Sequence, residues 1–575
     1  MEPPTLRCRT RGAGGPRTHR QCLKAPVDGS AAVVKRSRTG GYRFVRSRTL
    51  GHTHAMEKKD GPQPGSGSDG YVVTVDGSEV VVPDDGRSLL DVLRGQLGVT
   101  SPKDGCSPQG QCGCCTVLVD GQPRVSCVTP ARRVAGRTVT TLDGLEVDER
   151  TRWADAFTRT GGSQCGFCTP GIIMRFSGLR SAETTDTDRV TRSLAAHLCR
   201  CTGWQTVIEA WDTFGDDEAP RLNDRAAERA TIEGRSVQAV GSEVALGKGG
   251  FAADTAPAGA LVAVPDRSGR WVVAETLHEA RQLVGKVQGR RTTVDSVPPL
   301  DAPPGSWDAV LRTTWVEPAY LETDSAWCEP GGEPSSPLAN GGAFGGKVTS
   351  PVGGVARELA DEHGRAVLAL MSREDTVHLG PKRPPVAGGA MADGTGIMRV
   401  VRTPGIVEAV RAVAPNLTVE EVDVAGPPTS AAIRAAGWAE AVVLLAGARG
   451  SAGPVVSPDG AVAEAEVTDD LISVTVRCGD PLDKTVLCSY CIGAAHMAWS
   501  WVTSESLAVD DAGIVSDLTV RSFGIVRAGG TPRIDVTIER DDDEQPRNGS
   551  DAVFAAVAAA TWIHRGTPAD WPTGS

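Results

Sequence analysis

Cysteine placement constrains this chain more than any other feature of its sequence. Cys165-Gly166-Phe167-Cys168 runs straight into Thr169 and Pro170, and Cys199-Arg200-Cys201 into Thr202 and Gly203. Each pair leads into a helix start, with Thr169 as N-cap and Pro170 at the first helical position, and with Thr202 as N-cap before Trp204. Four thiolates at two helix N-termini meet unpaired N–H groups and the positive ends of the helix dipoles, which stabilise an anionic, sulfur-ligated centre. Zinc is the competing reading, since one pair has the C-x2-C spacing that zinc knuckles use, although the other is C-x-C. Spacing alone favours an iron–sulfur cluster and leaves zinc open.

A second thiol set lies upstream. Residues 71–82 read as a hairpin about an Asp76-Gly77 turn, and Ser88 opens a short amphipathic helix. Cys106, Cys112 and Cys115 follow in a glycine-rich loop, then a strand, an Asp120-Gly121 turn and a return strand that ends at Cys127. A strand that leaves at Cys115 and doubles back delivers Cys127 beside the first three thiols. The pattern is close to the plant-type ferredoxin spacing C-x4-C-x2-C…C, with one extra residue in the first gap, and points to [2Fe–2S] rather than zinc. Cys114 is a passenger, because Cys112 and Cys115 already satisfy the C-x2-C step. Gly105, Gly110 and Gly113 free the loop to turn amide N–H groups toward sulfur.

Composition narrows the class. The chain has 575 residues, a net charge of -11 and 68 Gly with 38 Pro. That length suits several domains. The acidic balance and an aromatic content of 4% argue against nucleic-acid binding, and no apolar run reaches the ~18 residues of a membrane helix. Fifteen cysteines, bunched and without a signal-peptide pattern, point to metal in a reducing cytoplasm rather than to disulfides. Residues 1–70 are Arg-rich and then Gly/Ser/Pro-rich, and read as a disordered extension and linker. That extension is like a transit peptide or basic arm, or else lies upstream of a start at Met56. Helical patterns over 152–160, 171–178, 186–198 and 204–214 make a small four-helix domain around the second thiol set.

Residues 105–127, 164–171 and 199–203, in that order, resemble the iron–sulfur part of the xanthine dehydrogenase family of molybdenum hydroxylases. The resemblance implies an α+β multidomain protein. A ferredoxin-like β-grasp [2Fe–2S] domain would occupy 71–147 and a four-helix [2Fe–2S] domain 148–215. A linker over 216–235 and a shortened, mixed α/β molybdopterin-binding region over 236–575 would follow. It assigns Cys106, Cys112, Cys115 and Cys127 to one cluster and Cys165, Cys168, Cys199 and Cys201 to the other, and places Gln164 on the pterin. Residues 241–263, Tyr320-Leu321-Glu322-Thr323 and the loop 340–347 resemble the molybdenum part, with Gly342, Ala343, Phe344 and Gly345 wrapping the cofactor and Phe344 flanking substrate. The resemblance further implies oxidation of an aldehyde or purine-like N-heterocycle, a separate FAD-containing subunit as electron acceptor, and an oligomer. An electron-transfer or assembly subunit with a degenerate molybdenum domain is the alternative.

The loop has two other readings. Gly341-x4-Gly346-Lys347 fits a phosphate-binding P-loop followed by a helix over 354–363, but Val348 lacks the metal-binding hydroxyl, and a plain glycine loop also fits. No counterpart of the family's Phe-Arg-Gly-Phe-Gly or Gly-Gln-Gly motifs is present. The catalytic carboxylate is assigned to Asp551, which precedes an Ala-rich helix and equally suits its N-cap. Cys478, Cys488, Cys491 and His496 could bind zinc, although such residues on an apolar helix are more often packing.

Overall fold

The computed structural model describes residues 8–12, 70–183, 186–216, 223–285, 294–335, 342–540 and 544–574. Tyr71–Val75 and Ser78–Val82 pair antiparallel, and the turn between them uses positive φ at Asp76 and Gly77, as a two-residue hairpin requires. Val73, Val75 and Val82 point inward and meet Leu89 and Leu93. Ser88 caps the helix that carries these leucines through a reciprocal pair of bonds with Asp91. The complete sheet runs Ser78–Val82, Tyr71–Val75, Thr138–Thr140, Thr116–Val119, Gln122–Val125, with the second and third strands parallel. A five-stranded sheet with one helix across its face is the expected β-grasp.

The next four helices are Val147–Thr160, Thr169–Ser181, Thr187–Ser193 and Gln205–Asp212. Their caps differ from expectation. The Thr169 hydroxyl donates to Ser163 Oγ at 3.0 Å and caps nothing, while the last helix starts three residues after Thr202, behind Trp204 at φ +68°. Trp153, Phe157, Phe176 and Trp211 pack together at the centre of this domain.

The linker expected over 216–235 is contradicted in its second half, where Ala226–Gly234 is a helix. Its Arg229 and Glu233 are fully buried and paired at 2.8 Å. Cys8–Gly12 also departs from the disordered extension, since it pairs in parallel with Arg533–Arg540. The rest of that extension, and the acidic residues 541–543, lie outside the described residues.

Three further sheets follow: Ser325–Cys328, Val367–Leu370, Leu261–Pro265, Trp271–Ala274; then Leu417–Val422, Gly396–Val401, Val386–Ala390, Ala309–Arg312; and a five-stranded sheet centred on Leu471–Arg477. Between them run two helices buried on nearly every face, Lys484–Thr503 and Gly549–His564. No helix among the described residues is long and apolar enough to cross a membrane.

The two thiol-bearing domains touch through backbone. A Cβ on Gly171 would lie 2.3 Å from the Gly113 carbonyl oxygen and 2.9 Å from Cys114 Cα. One on Gly113, itself at φ +72°, would lie 2.4 Å from His197 Nδ1. Gly171→Ala is therefore expected to force the domains apart and cost about 1–3 kcal/mol, read as a lower melting temperature. An unchanged melting temperature would show that the junction yields without cost.

Candidate metal centres

Cys106, Cys112, Cys115 and Cys127 are all buried, and their thiols contact one another in the order Cys112, Cys106, Cys127, Cys115. The hairpin brings the last of them home: Thr116–Val119 leaves the loop, Gln122–Val125 returns, and the Cys127 N–H points at Cys115 Sγ at 3.5 Å. Gln109 and Gln111 direct their N–H groups at Cys106 Sγ at 3.2 and 3.5 Å. The Cys106 thiol is held well below its ordinary pKa by the Cys112 and Cys127 thiols and then by these amides. Cys114 is buried beside the set: its thiol lies 3.7 Å from the Cys112 carbonyl oxygen and also contacts the Cys112 thiol.

The second set has the same pattern. Cys165 and Cys201 lie 3.8 Å apart at sulfur, and contacts continue from Cys201 to Cys199 and from Cys199 to Cys168. The Thr202 hydroxyl meets Cys199 Sγ at 3.2 Å, so Thr202 serves the thiol rather than a helix end.

Each set brings four buried thiols into mutual contact. A binuclear cluster takes two sulfurs at each iron, so four thiols suit two irons, and their burial excludes water from them. Cys478, Cys488, Cys491 and His496 are buried packing on or beside the helix Lys484–Thr503, with His496 Nε2 3.1 Å from the Val526 carbonyl oxygen.

The two sets meet at one hydrogen bond. The Leu198 N–H, next to Cys199, donates to the Cys112 carbonyl at 2.9 Å. Beside it His197 is buried, its pKa pushed down to about 3 by burial and by Arg175 and Arg527, so its ring stays neutral and accepts from Arg175 Nε at 3.3 Å.

The residues expected to hold a pterin also gather beside the second set. Gln164 Nε2 donates to the Cys201 carbonyl and to Ser489 Oγ, both at 2.9 Å, which leaves its buried Oε1 without a partner. Gly342, Ala343, Phe344 and Tyr490 line a void of about 10 Å³ together with Gln164. A neighbouring void of about 30 Å³ lies against Arg200, Phe344, Arg434 and Glu505. The donor set suits a pterin, with Gln164 Oε1 a buried acceptor that has no partner beside the glycine loop. The loop is not a P-loop either: Lys347 is buried and paired with Glu322 at 2.6 Å. Asn340 and Gly341 lie outside the described residues.

Asp551 is not the N-cap of its helix. Asn548 is, accepting from the Asp551 N–H at 3.0 Å. The Asp551 carboxylate instead faces Arg434 Nε at 3.1 Å and Arg235 Nη2 at 2.5 Å, and Arg434 lies 3.7 Å from the centre of the Phe344 ring. Sequence reasoning missed Arg434. Its signal was a lone charge in the apolar run 431–436, which marks a side chain with a buried partner.

Residues 73–138 match the 2Fe-2S iron-sulfur cluster binding domain family and residues 141–212 the [2Fe-2S] binding domain family. The nicotinate dehydrogenase small FeS subunit of Eubacterium barkeri is 38% identical over 132 residues, 23% of this chain and 83% of that protein. This chain belongs to the molybdenum hydroxylase family. The nicotine 6-hydroxylase small subunit of Paenarthrobacter nicotinovorans is 40% identical, over 24% of this chain and 84% of that one. The aldehyde oxidoreductase of Megalodesulfovibrio gigas is 41% identical over 145 residues, which is 24% of this chain but spans only 16% of that relative's length. In fold, the aldehyde oxidoreductase from Desulfovibrio gigas aligns with a TM-score of 0.65 at 15% identity, covering 88% of this chain and 99% of that one. The fold likeness therefore extends far beyond the quarter of the chain that sequence aligns.

Two substitutions separate the roles at the late helix. Asp551→Asn removes the charge that two arginines face, one of them buried, and is expected to cost up to about 3–5 kcal/mol. Asn548→Ala removes only a cap and costs about 1 kcal/mol. Equal losses in urea denaturation would mean that the Asp551 pairs are not structural.

Proposed function

We propose that the chain is an oxidoreductase of the molybdenum hydroxylase type, in which oxidation of an aldehyde or a purine-like N-heterocycle delivers electrons through two [2Fe–2S] clusters to a separate acceptor such as an FAD-containing subunit. The observation that carries this reading is the pair of buried four-thiol chains joined by the Leu198 to Cys112 hydrogen bond. Cys106, Cys112, Cys115 and Cys127 hold one cluster, and Cys165, Cys168, Cys199 and Cys201 the other. Each cluster, when bound, supplies one-electron chemistry. This chain's residues exclude water from the sulfurs, direct amide N–H groups at them and fix the two ligand loops in backbone contact.

Domain boundaries at 71–147 and 148–215 go with this reading, as does a cytoplasmic, reducing setting that keeps the thiols free. Relatives of the two cluster domains include small FeS subunits, which supports a working assembly with partner chains. The alternative is an electron-transfer or assembly subunit whose substrate is oxidised on another chain.

Metal analysis of the purified protein decides between them. About four iron and one molybdenum per chain is expected of the hydroxylase, and four iron without molybdenum of the subunit. Cys106→Ser and Cys165→Ser should each remove a different one of two reduced-cluster signals in electron paramagnetic resonance, and Cys114→Ser should remove neither. A single signal lost with either change would sink the two-cluster arrangement.

A further inference from the structure

Four arginines form a row over the junction of the two thiol sets. Arg175 Nε donates to His197 Nε2 at 3.3 Å, and Arg527 Nη1 donates to the His197 carbonyl oxygen at 2.6 Å. Burial and then Arg124 push the Arg175 pKa down, and burial and then Arg521 push that of Arg527 down to about 10. Arg124 thus lies by Arg175 and Arg521 by Arg527, one toward either end of the row. Among the described residues none of the four is paired with a carboxylate. The contrast is with arginines such as Arg312 and Arg402, which each hold an aspartate at 2.6 Å in this chain of net charge -11.

The row borders the first thiol set. The Arg521 N–H donates to Gln111 Oε1 at 3.0 Å and the Val520 N–H to Gln109 Oε1 at 3.2 Å, so the segment carrying Arg521 lies on the loop between Cys106 and Cys112. Val128 follows Cys127 directly and is 44% exposed. It packs on Gly110 of that loop, where a Cβ would lie 2.8 Å from the Val128 side chain. Arg124, three positions before Cys127, is exposed as well. One thiol of the first set is therefore a single residue away from an exposed apolar side chain, beside positive charge that nothing compensates. Like charges held together without counter-charge repel, and a partner that brings carboxylates relieves that repulsion. Because the charges extend to both sides of His197, they suit a protein surface better than one small anion.

We propose that this face docks an acidic protein that carries one electron at a time, with Arg124 and Arg521 meeting its carboxylates and Val128 giving an apolar contact beside Cys127. The proposal gives the electron acceptor an acidic contact face, and it rests on the two-cluster reading for the electron but not for the docking. One electron passes per encounter, lost by the first cluster and gained by the carrier, and no covalent bond forms or breaks.

The test uses the full chain and a plant-type ferredoxin, an acidic protein with one [2Fe–2S] cluster. Oxidised ferredoxin should bind the oxidised chain saturably at low ionic strength, and added salt should weaken the binding progressively. Arg124→Gln combined with Arg521→Gln should weaken it by about tenfold, and should slow electron transfer from reduced ferredoxin, followed by stopped flow, to the same degree. Arg267→Gln combined with Arg411→Gln removes the same charge from exposed positions on other elements and should change neither. Both double variants should keep the melting temperature and both reduced-cluster signals. No saturable binding of ferredoxin, or an equal loss in the two double variants, overturns the docking face. Arginine-dependent binding of duplex DNA that is tighter than that of ferredoxin overturns the partner class. Arginine-dependent binding of ferredoxin by a chain without cluster signals would leave the face standing and overturn the two-cluster reading instead.

Discussion

The hydrogen bond from the Leu198 N–H to the Cys112 carbonyl sets the geometry on which both thiol chains depend. It can form only where two backbones approach without side chains between them, and Gly113 and Gly171 provide that approach. Two buried polypeptide loops in such contact cannot slide, because sliding would strand an N–H and a C=O away from water at a cost of about 1–3 kcal/mol for each unpaired group. Each loop also presents four thiols that must stay mutually placed. The junction thus fixes the two thiol-bearing domains against each other.

Beyond these domains, the region after residue 236 is held by buried charges as well as by apolar packing. Arg200 reaches Glu505 at 2.7 Å, Lys382 reaches Glu317 at 2.8 Å, and Arg383 reaches Glu440 at 2.6 Å. Each pair is largely or wholly buried, so each must offset a desolvation cost of several kcal/mol per ion before it stabilises anything. Such pairs are poor general glue, but they are intolerant of misplacement. Arg200 lies between Cys199 and Cys201, so its pairing with Glu505 on the far side of the junction fixes the second thiol set against this region. Ser489 and Gly493 on the helix Lys484–Thr503 do the same from another side. A Cβ on Gly493 would come 1.7 Å from the Cys201 carbonyl oxygen.

The sequence was most legible where local chemistry dictates local shape. Asp76-Gly77 and Asp120-Gly121 specify turns whatever surrounds them, and the hairpin they imply carries Cys127 to its partners. The two helix starts at the second thiol set were read less well. Thr169 and Thr202 are good caps in isolation, but tertiary contact assigned their hydroxyls to Ser163 and to Cys199. Asp551 failed for a related reason: an acidic residue at a helix start reads as a cap until its arginine, 117 positions away, is brought to it by the fold. Pairing over such distances leaves no periodic trace.

The glycine loop likewise depends on residues far from it in sequence. Gln164, Phe344 and the flanking glycines were legible as a motif and do converge on the second thiol set. Whether a motif encloses space depends on residues outside it, and here Arg434 fills that role. Its guanidinium covers the Phe344 ring and is itself anchored by Asp551, while the Arg434 N–H donates to the Phe344 carbonyl at 3.0 Å. A cation stacked on an aromatic ring in a desolvated site contributes about 2 kcal/mol, and the buried carboxylate holds that cation in place. Opening the loop would therefore mean separating ring, guanidinium and carboxylate together. A bound group could do so only by replacing those interactions with its own, and Gln164 Oε1, buried and without a hydrogen-bond partner, is an acceptor it could engage.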